Sequence, residues 1–142
     1  MTLNRTRIER ILFPTDFSAF STQALRHALA LARKFKARLK VIHVIPQIMQ
    51  AAESMYATAP WLLTPEARKK IEEQMRGFMS PAREAHLDYE VAVCEGDPWR
   101  EILAAAEQMQ PDLVVMGTHG RNGLERLFLG SVAEKLIRRL PC

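Results

Sequence analysis

The feature that most constrains this chain is a short apolar run followed at once by glycines and then by a helical pattern. Residues 113–116 (LVVM) are too few for a helix and rich in β-branched side chains, which favours a buried strand. Gly117 and Gly120 follow directly, and after nine further residues Gly130 and Ser131 open a helical pattern. Glycine lets a ligand approach the backbone, and the first N–H groups of a helix attract anions. The stretch predicts a phosphate site, with an ordinary glycine-rich turn as the alternative.

The spacing of these glycines, G-x2-G-x9-G-S, separates the stretch from two common nucleotide motifs. It is not the G-x-G-x-x-G fingerprint, and it is not a P-loop because no Gly-Lys-Ser/Thr follows. Ser131 adds a hydroxyl donor at the position expected of a helix N-cap.

One carboxylate, that of Asp16, is predicted to lie near a ligand bound at this loop. Residues 11–13 predict the first strand, and Pro14, Thr15 and Asp16 follow it directly. In an open parallel sheet, ligands bind beyond the carboxyl ends of the strands. Asp16 is therefore a candidate ligand contact, with a role in a turn or helix cap as the alternative.

The remaining patterns alternate between helices and strands. After the first strand they predict a helix over 19–35, a strand over 39–45 and a helix over 64–85 that breaks near Ser80. A strand over 87–93 and a helix over 98–109 follow, and a helix from Ser131 follows the strand at 113–116. His43, in the second strand, is predicted to pack within the sheet. The order β-α-β-α-β-α-β-α predicts a parallel sheet covered on both faces, and we expect one domain over residues 1–142. Residues 46–63 have no clean period, so a lid and a partly helical insertion both remain open.

Composition argues against several classes of partner. The net charge is +4, but the basic residues are dispersed and the aromatic content is only 7%, which favours a solvated surface over a nucleic-acid patch. No apolar run approaches the ~18 residues of a membrane span, and no signal peptide is evident. Cys94 and Cys142 have neither metal nor redox spacing. We therefore expect a cytoplasmic protein that uses neither nucleic acid nor a membrane.

Four motifs along nearly the whole chain resemble the universal stress protein family. They are IL-x-PTDFS, VIHVI, EGDP and DLVVMGTHGRNGLERLFLGSVAEKL. The resemblance implies a flavodoxin-like (adenine nucleotide α-hydrolase-like) fold, with an open parallel sheet of order 3-2-1-4 and helices on both faces. Family members usually add a fifth strand, which we expect to be absent here because only Leu140, Pro141 and Cys142 follow the last helix.

The resemblance also implies an ATP site, in the subgroup that keeps the G-x2-G-x9-G-S motif. Asp16 would face the ribose, the main chain of Val44 would face adenine, and Gly117 would lie against the ribose. The implied phosphate contacts are Gly120, Gly130, Ser131 and Val132. Neighbouring residues in the same loops would assist, namely Pro14, Thr15, Met116, His119 and Arg121.

The implied function is a stress-response regulatory module that binds ATP or AMP, with Mg²⁺, and is read by an unidentified protein partner. A slow ATPase or an adenylyl-transferring enzyme on the same fold is the alternative, and an interaction protein without nucleotide is a third. No second acidic residue near the phosphate loop is assigned as a general base, so we expect no enzyme beyond very slow ATP hydrolysis, and no catalytic residue or metal ligand is assigned. We expect a homodimer, for which apolar residues could supply the surface: Met49, Tyr56, Trp61, Leu124 and Phe128.

Overall fold

Four parallel strands form the sheet. The computed structural model describes residues 7–46, 64–119 and 130–142. Its strands are β1 (Arg10–Pro14), β2 (Arg38–Pro46), β3 (Tyr89–Gly96) and β4 (Leu113–Val114). They pair in the order β3-β2-β1-β4, every pair parallel. The predicted order 3-2-1-4 of the flavodoxin-like fold is confirmed.

The first two helices begin at the caps that the sequence indicates. In the described residues they are α1 (Ala19–Phe35), α2 (Pro65–Phe78), α3 (Ser80–Glu84), α4 (Pro98–Met109) and α5 (Ser131–Ile137). The Ser18 side chain accepts a hydrogen bond from the Ser21 N–H at the start of α1, and Thr64 does the same for the Ala67 N–H at the start of α2. The predicted break near Ser80 is confirmed, because Met79 separates α2 from α3. Pro81 falls in the first turn of α3, where its missing N–H removes no intrahelical bond.

Strand β4 is shorter than the four residues predicted. Only Leu113 and Val114 pair with β1, opposite Ile11 and Leu12. The Val115 N–H still donates to the Leu12 carbonyl at 3.0 Å, after which the chain leaves the ladder. The residues that follow turn toward the start of α1, so the strand ends where this turn begins.

Alternate residues of the central strands face two separate halves of the core. Ile11 and Phe13 pack on one face with α1, α2 and α3, whereas Leu12 packs on the other with α4 and α5. Helices therefore cover both faces of the sheet, as predicted. Burying each such large side chain contributes roughly 1.5–3 kcal/mol. No helix in the described part of the chain is long and apolar enough to cross a membrane.

Cation–π contacts with an aromatic ring of α4 hold α5 in position. The Lys135 Nζ lies 5.4 Å from the centroid of the Trp99 ring, and the Arg139 guanidinium lies 4.9 Å from it. Each such contact contributes about 0.5–1 kcal/mol at an exposed site. Because Gly130 is the N-cap of α5, the contacts with Trp99 help to fix the position of that glycine.

Candidate functional site

The candidate site is the crevice between the carboxyl ends of β1 and β4. The two strands are neighbours, and the helices that follow them, α1 and α5, pack on opposite faces of the sheet. In an open parallel sheet this is the topological switch point, where ligands bind. The structure brings Asp16 and its neighbours, which follow β1, to the same edge as Gly117, which follows β4.

Residues 14–18, here called the Asp16 loop, are held through Thr15. The Thr15 N–H donates to the Ile42 carbonyl at 2.9 Å, and its own carbonyl accepts a hydrogen bond from His43 Nδ1 at 2.8 Å. Its Oγ1 lies 2.6 Å from Ser21 Oγ and accepts the Phe17 N–H at 3.1 Å. Thr15, Ser21 and His43 are all buried. Thr15 is thus fixed by β2 on one side and by α1 on the other.

Asp16 has a defined orientation between β1 and α1. Its Oδ1 accepts a hydrogen bond from the Ser18 N–H at 2.9 Å, which is the turn role expected of an Asp before a helix. Phe17 follows with a φ of 61°, a left-handed conformation that costs about 1–2 kcal/mol for a residue with a side chain. Its ring packs on the His43 ring at 4.4 Å and on the Phe78 ring at 5.4 Å, which offsets that cost. The turn role and a ligand contact are compatible, since Asp16 is only partly buried.

Gly117 lies against the first turn of α1. A Cβ at this position would stand 3.2 Å from the Ser21 backbone nitrogen and 3.3 Å from the Phe20 carbonyl carbon. Both atoms belong to the backbone and cannot rotate away. Packing within the protein therefore favours glycine at this position, independently of any contact with a ligand.

The start of α5 differs in one detail from the sequence prediction. The N-cap is Gly130, and Ser131 is the first residue of the helix, with its side chain exposed. The Gly130 N–H donates to the Thr118 carbonyl at 2.6 Å. This bond joins the described residues before and after the segment 120–129 and places α5 beside residues 115–119, here called the Gly117 turn.

Three further predicted residues have packing contacts that limit what their side chains can do. Val44 is buried and pairs with Cys94 of β3, and Val132 packs on the second half of the core. The Val44 side chain belongs to the core, so its main chain is the part that could meet a ligand, whereas the Val132 side chain is only partly buried. His119 accepts or donates a hydrogen bond with Thr118 Oγ1 at 3.0 Å through its Nδ1.

The His119 ring also lies 5.1 Å from the ring of Phe20, a site neighbour that the sequence interpretation missed. Phe20 is 39% exposed and stands beside Gly117. A phenylalanine at an exposed position of an amphipathic helix was the only signal available, and it does not by itself indicate a site. Pro14 is the last residue of β1, and Met116 lies two residues beyond the end of β4.

Several predictions fall outside the described residues. They concern the site residues Gly120 and Arg121, the segment 47–63, and the apolar residues proposed for a dimer surface: Met49, Tyr56, Trp61, Leu124 and Phe128.

The described residues offer little covalent or metal chemistry. They contain no group of three or more His, Cys, Asp or Glu side chains arranged to hold a metal ion. Burial raises the pKa of the Cys94 thiol, and the nearby Glu101 carboxylate raises it further. Cys94 is therefore protonated at neutral pH and is a poor nucleophile.

Comparison with known proteins gives one consistent result. Residues 7–142 match the family model described as "Universal stress protein family". Universal stress protein MJ0531 of Methanocaldococcus jannaschii is 36% identical over 135 residues, which cover 94% of this chain and 78% of that protein. The solved structure of hypothetical protein MJ0577, from the same organism, superposes with a TM-score of 0.81 at 26% identity and covers 95% of this chain and 92% of its own.

A second solved structure was determined with a ligand. It is a universal stress protein in complex with cAMP, and it superposes with a TM-score of 0.69 at 24% identity, covering 95% of this chain and 93% of its own. At that identity the likeness establishes a common fold.

Proposed function

This chain belongs to the universal stress protein family, and we propose that it is a cytoplasmic regulatory module of the ATP-binding subgroup, binding ATP with Mg²⁺ in the crevice between β1 and β4. The observation that carries the proposal is the approach of the Gly117 turn to α1 at the switch point of the sheet. That approach brings the Asp16 loop, the Gly117 turn and the start of α5 to one edge. A structural relative that holds cAMP supports an adenine nucleotide as the ligand class.

The proposed contacts form two groups, one at each side of the crevice. At the β2 side, the Asp16 carboxylate accepts hydrogen bonds from the ribose hydroxyls, and the main chain of Val44 meets adenine. At the α5 side, the N–H groups of Ser131 and Val132 hold phosphate, because the first N–H groups of a helix lack intrahelical partners. The Gly130 N–H is already donated to Thr118, so Gly130 contributes space for the phosphate, while its N–H holds the loop together.

We further propose that the bound nucleotide is read by a partner protein and is turned over very slowly, if at all. Hydrolysis needs a general base within hydrogen-bond reach of the attacking water. In the described loops 14–18, 115–119 and 130–132, Asp16 is the only carboxylate, and its Oδ1 already accepts the Ser18 N–H. Any turnover should fall far below the roughly 10 s⁻¹ of a median enzyme.

The decisive experiment is calorimetric titration of MgATP into the wild type and Gly130→Val. Gly130 has φ −59° and ψ 146°, which valine adopts readily, so the variant should fold while its side chain fills the space for phosphate. We expect binding to the wild type and its loss in Gly130→Val. Gly77→Ala is the matched control, because nothing lies within 4 Å of the added Cβ and ATP binding should be unchanged.

Product analysis of the same samples over hours then separates the functional classes. Slow or absent ADP formation fits a regulatory module, and steady turnover near the enzyme median would place the protein among the enzymes. Unchanged ATP affinity in a folded Gly130→Val variant would reject the site itself.

We also propose a homodimer. Two described features support one: β4 is an edge strand of the sheet, and Ile137 of α5 is 64% exposed. Light scattering over a dilution series should show the mass of two chains at high concentration and of one chain at low concentration. Ile137→Asp should move this transition to higher concentration, and a single-chain mass at every concentration would contradict the dimer.

A further inference from the structure

We propose that His43 is a positioning residue for the nucleotide site: one buried imidazole anchors both sequence neighbours of Asp16 and thereby sets the direction of its carboxylate. The proposal deepens the function proposed for the β1–β4 crevice and rests on it. It assigns His43 a role beyond the packing within the sheet that its sequence context predicts.

The first anchor is a hydrogen bond of known direction. His43 is 6% exposed, and its Nδ1 lies 2.8 Å from the Thr15 carbonyl oxygen. A carbonyl oxygen can only accept, so Nδ1 carries the proton and donates it. This contact fixes both the ring orientation of His43 and the peptide that joins Thr15 to Asp16.

The second anchor is the contact between the His43 and Phe17 rings. Their centroids lie 4.4 Å apart, and Phe17 has the left-handed φ of 61°. A residue with a side chain persists in that conformation only where its surroundings determine it, and such residues cluster at functional sites. The imidazole is part of those surroundings, together with Phe78 of α2.

These two anchors lie on either side of Asp16 in the chain. With Thr15 and Phe17 both held, the Asp16 backbone has little freedom, and the Ser18 N–H then orients its carboxylate. His43 is also adjacent to Val44 in β2. The residue that places the proposed ribose contact is thus covalently joined to the one that meets adenine, which fixes the spacing between the two contacts.

A role in packing alone predicts a different result, and variants of β2 can separate the two. His43→Leu removes the donor and the aromatic ring. His43→Asn keeps an N–H₂ group near the position of Nδ1 and removes the ring. Val41→Ala is the matched control, because Val41 is buried two residues earlier in the same strand, pairs with Phe13 and has no side-chain group that can hydrogen-bond to Thr15.

The first measurement needs no ligand. Hydrogen exchange at the Phe17 and Ser18 amides should be about tenfold faster in His43→Leu than in Val41→Ala, the size expected for loss of a hydrogen-bonded contact. His43→Asn should recover part of the protection. Equal exchange in His43→Leu and Val41→Ala would overturn the proposal.

A milder variant guards against failure of His43→Leu to fold. Phe17→Gly keeps the left-handed backbone and removes the ring that packs on His43. It should also speed exchange at Ser18, and wild-type protection there would overturn the second anchor.

The second measurement is a double-mutant cycle read by MgATP affinity. Asp16→Ala should weaken binding about tenfold in the wild type and little further in His43→Leu, because the carboxylate is already misplaced there. Fully additive losses would overturn the proposal. If the wild type binds no ATP, the proposed function fails, while the exchange comparison still decides whether His43 fixes the Asp16 loop.

Discussion

The two sides of the candidate crevice are built in different ways. On the β2 side, five residue pairs join β1 to β2, and the Asp16 loop is held by hydrogen bonds to both main-chain groups of Thr15 and to its hydroxyl. On the β4 side, only two residue pairs join β1 to β4. There the described residues are positioned by the Gly117 approach to α1 and by the bond from Gly130 to Thr118.

This difference shows how a fold can divide the recognition of a ligand. The β2 side is specified by strand register and buried side chains, so its geometry follows from the core. Beyond its short ladder, the described part of the β4 side depends on the absence of a side chain at Gly117, on the bond from Gly130 to Thr118 and on the contacts with Trp99. Substitutions should therefore damage the two sides through different mechanisms, by overpacking on the β4 side and by loss of buried hydrogen bonds on the β2 side.

The largest effect is expected on the β4 side, from Gly117→Val. Even a Cβ would stand 3.2 Å from the Ser21 backbone nitrogen, and a branched side chain forces the turn away from α1. Overpacking of this kind costs about 1–3 kcal/mol, and we expect the upper end because the facing atoms belong to the backbone. Urea denaturation measures the change in the free energy of unfolding. Wild-type stability in this variant would show that the turn can move aside.

A smaller effect is expected on the β2 side, from Ser21→Ala. The change removes the 2.6 Å contact with Thr15 Oγ1 inside a buried cluster, which should lower the free energy of unfolding by about 1–2 kcal/mol. Thr22→Ala is the control on the next residue, where an exposed hydroxyl donates to the Ser18 carbonyl. Its effect should stay within about 0.5 kcal/mol. Equal effects of the two changes would mean that the buried cluster adds no special stability.

The smallest effect concerns the opposite end of the β1–β4 pair. Asp112 Oδ2 accepts hydrogen bonds from the Glu9 and Arg10 N–H groups, both at 2.9 Å. The bond from Glu9 is the main cause that lowers the pKa of Asp112, and the bond and charge of Arg10 lower it further. A lowered folded-state pKa means that the ionised carboxylate stabilises the fold above its ordinary pKa of about 4, and that this contribution is lost as the pH falls toward the folded-state value.

Asp112→Asn tests that contribution. The wild type should have the higher melting temperature near neutral pH, and its advantage should shrink as the pH is lowered from about 5 to about 3. An advantage that does not change with pH would show that the charge of Asp112 does not support the short β1–β4 ladder.

The sequence patterns predicted the features that depend on contacts within one helical turn. They missed the features that depend on contacts between residues far apart in the chain. The starts of α1, α2 and α4 were predictable because their signals, Ser18, Thr64-Pro65 and Pro98, act within one helical turn. The order of the strands came from the family resemblance and is confirmed. The length of β4 was not predictable, because it ends where Gly117 must reach α1, a contact between residues nearly a hundred positions apart.

The sequence predicted where the candidate site lies, but it did not predict how the residues around the site contact one another. The motif residues placed Asp16 and Gly117 at one edge, as the fold has them. The cluster of Thr15, Ser21 and His43 depends on the register of β1 against β2, which no local pattern encodes. The left-handed Phe17 was also hidden, since phenylalanine rarely adopts that conformation and gives no sign of it in sequence.

The Trp99 ring of α4, which contacts α5, makes the position of α5 accessible to fluorescence. Indole emission responds to nearby charge. The Trp99 ring lies 5.4 Å from Nζ of Lys135, in the helix that begins at the proposed phosphate site, and 4.9 Å from the guanidinium of Arg139, just after that helix. The chain has only two tryptophans, so a Trp61→Phe background leaves Trp99 as the single source of tryptophan emission. In that background, a change in the fluorescence of the unlabelled protein reports a displacement of α5. The change can be recorded in real time and needs no chromophore on the ligand.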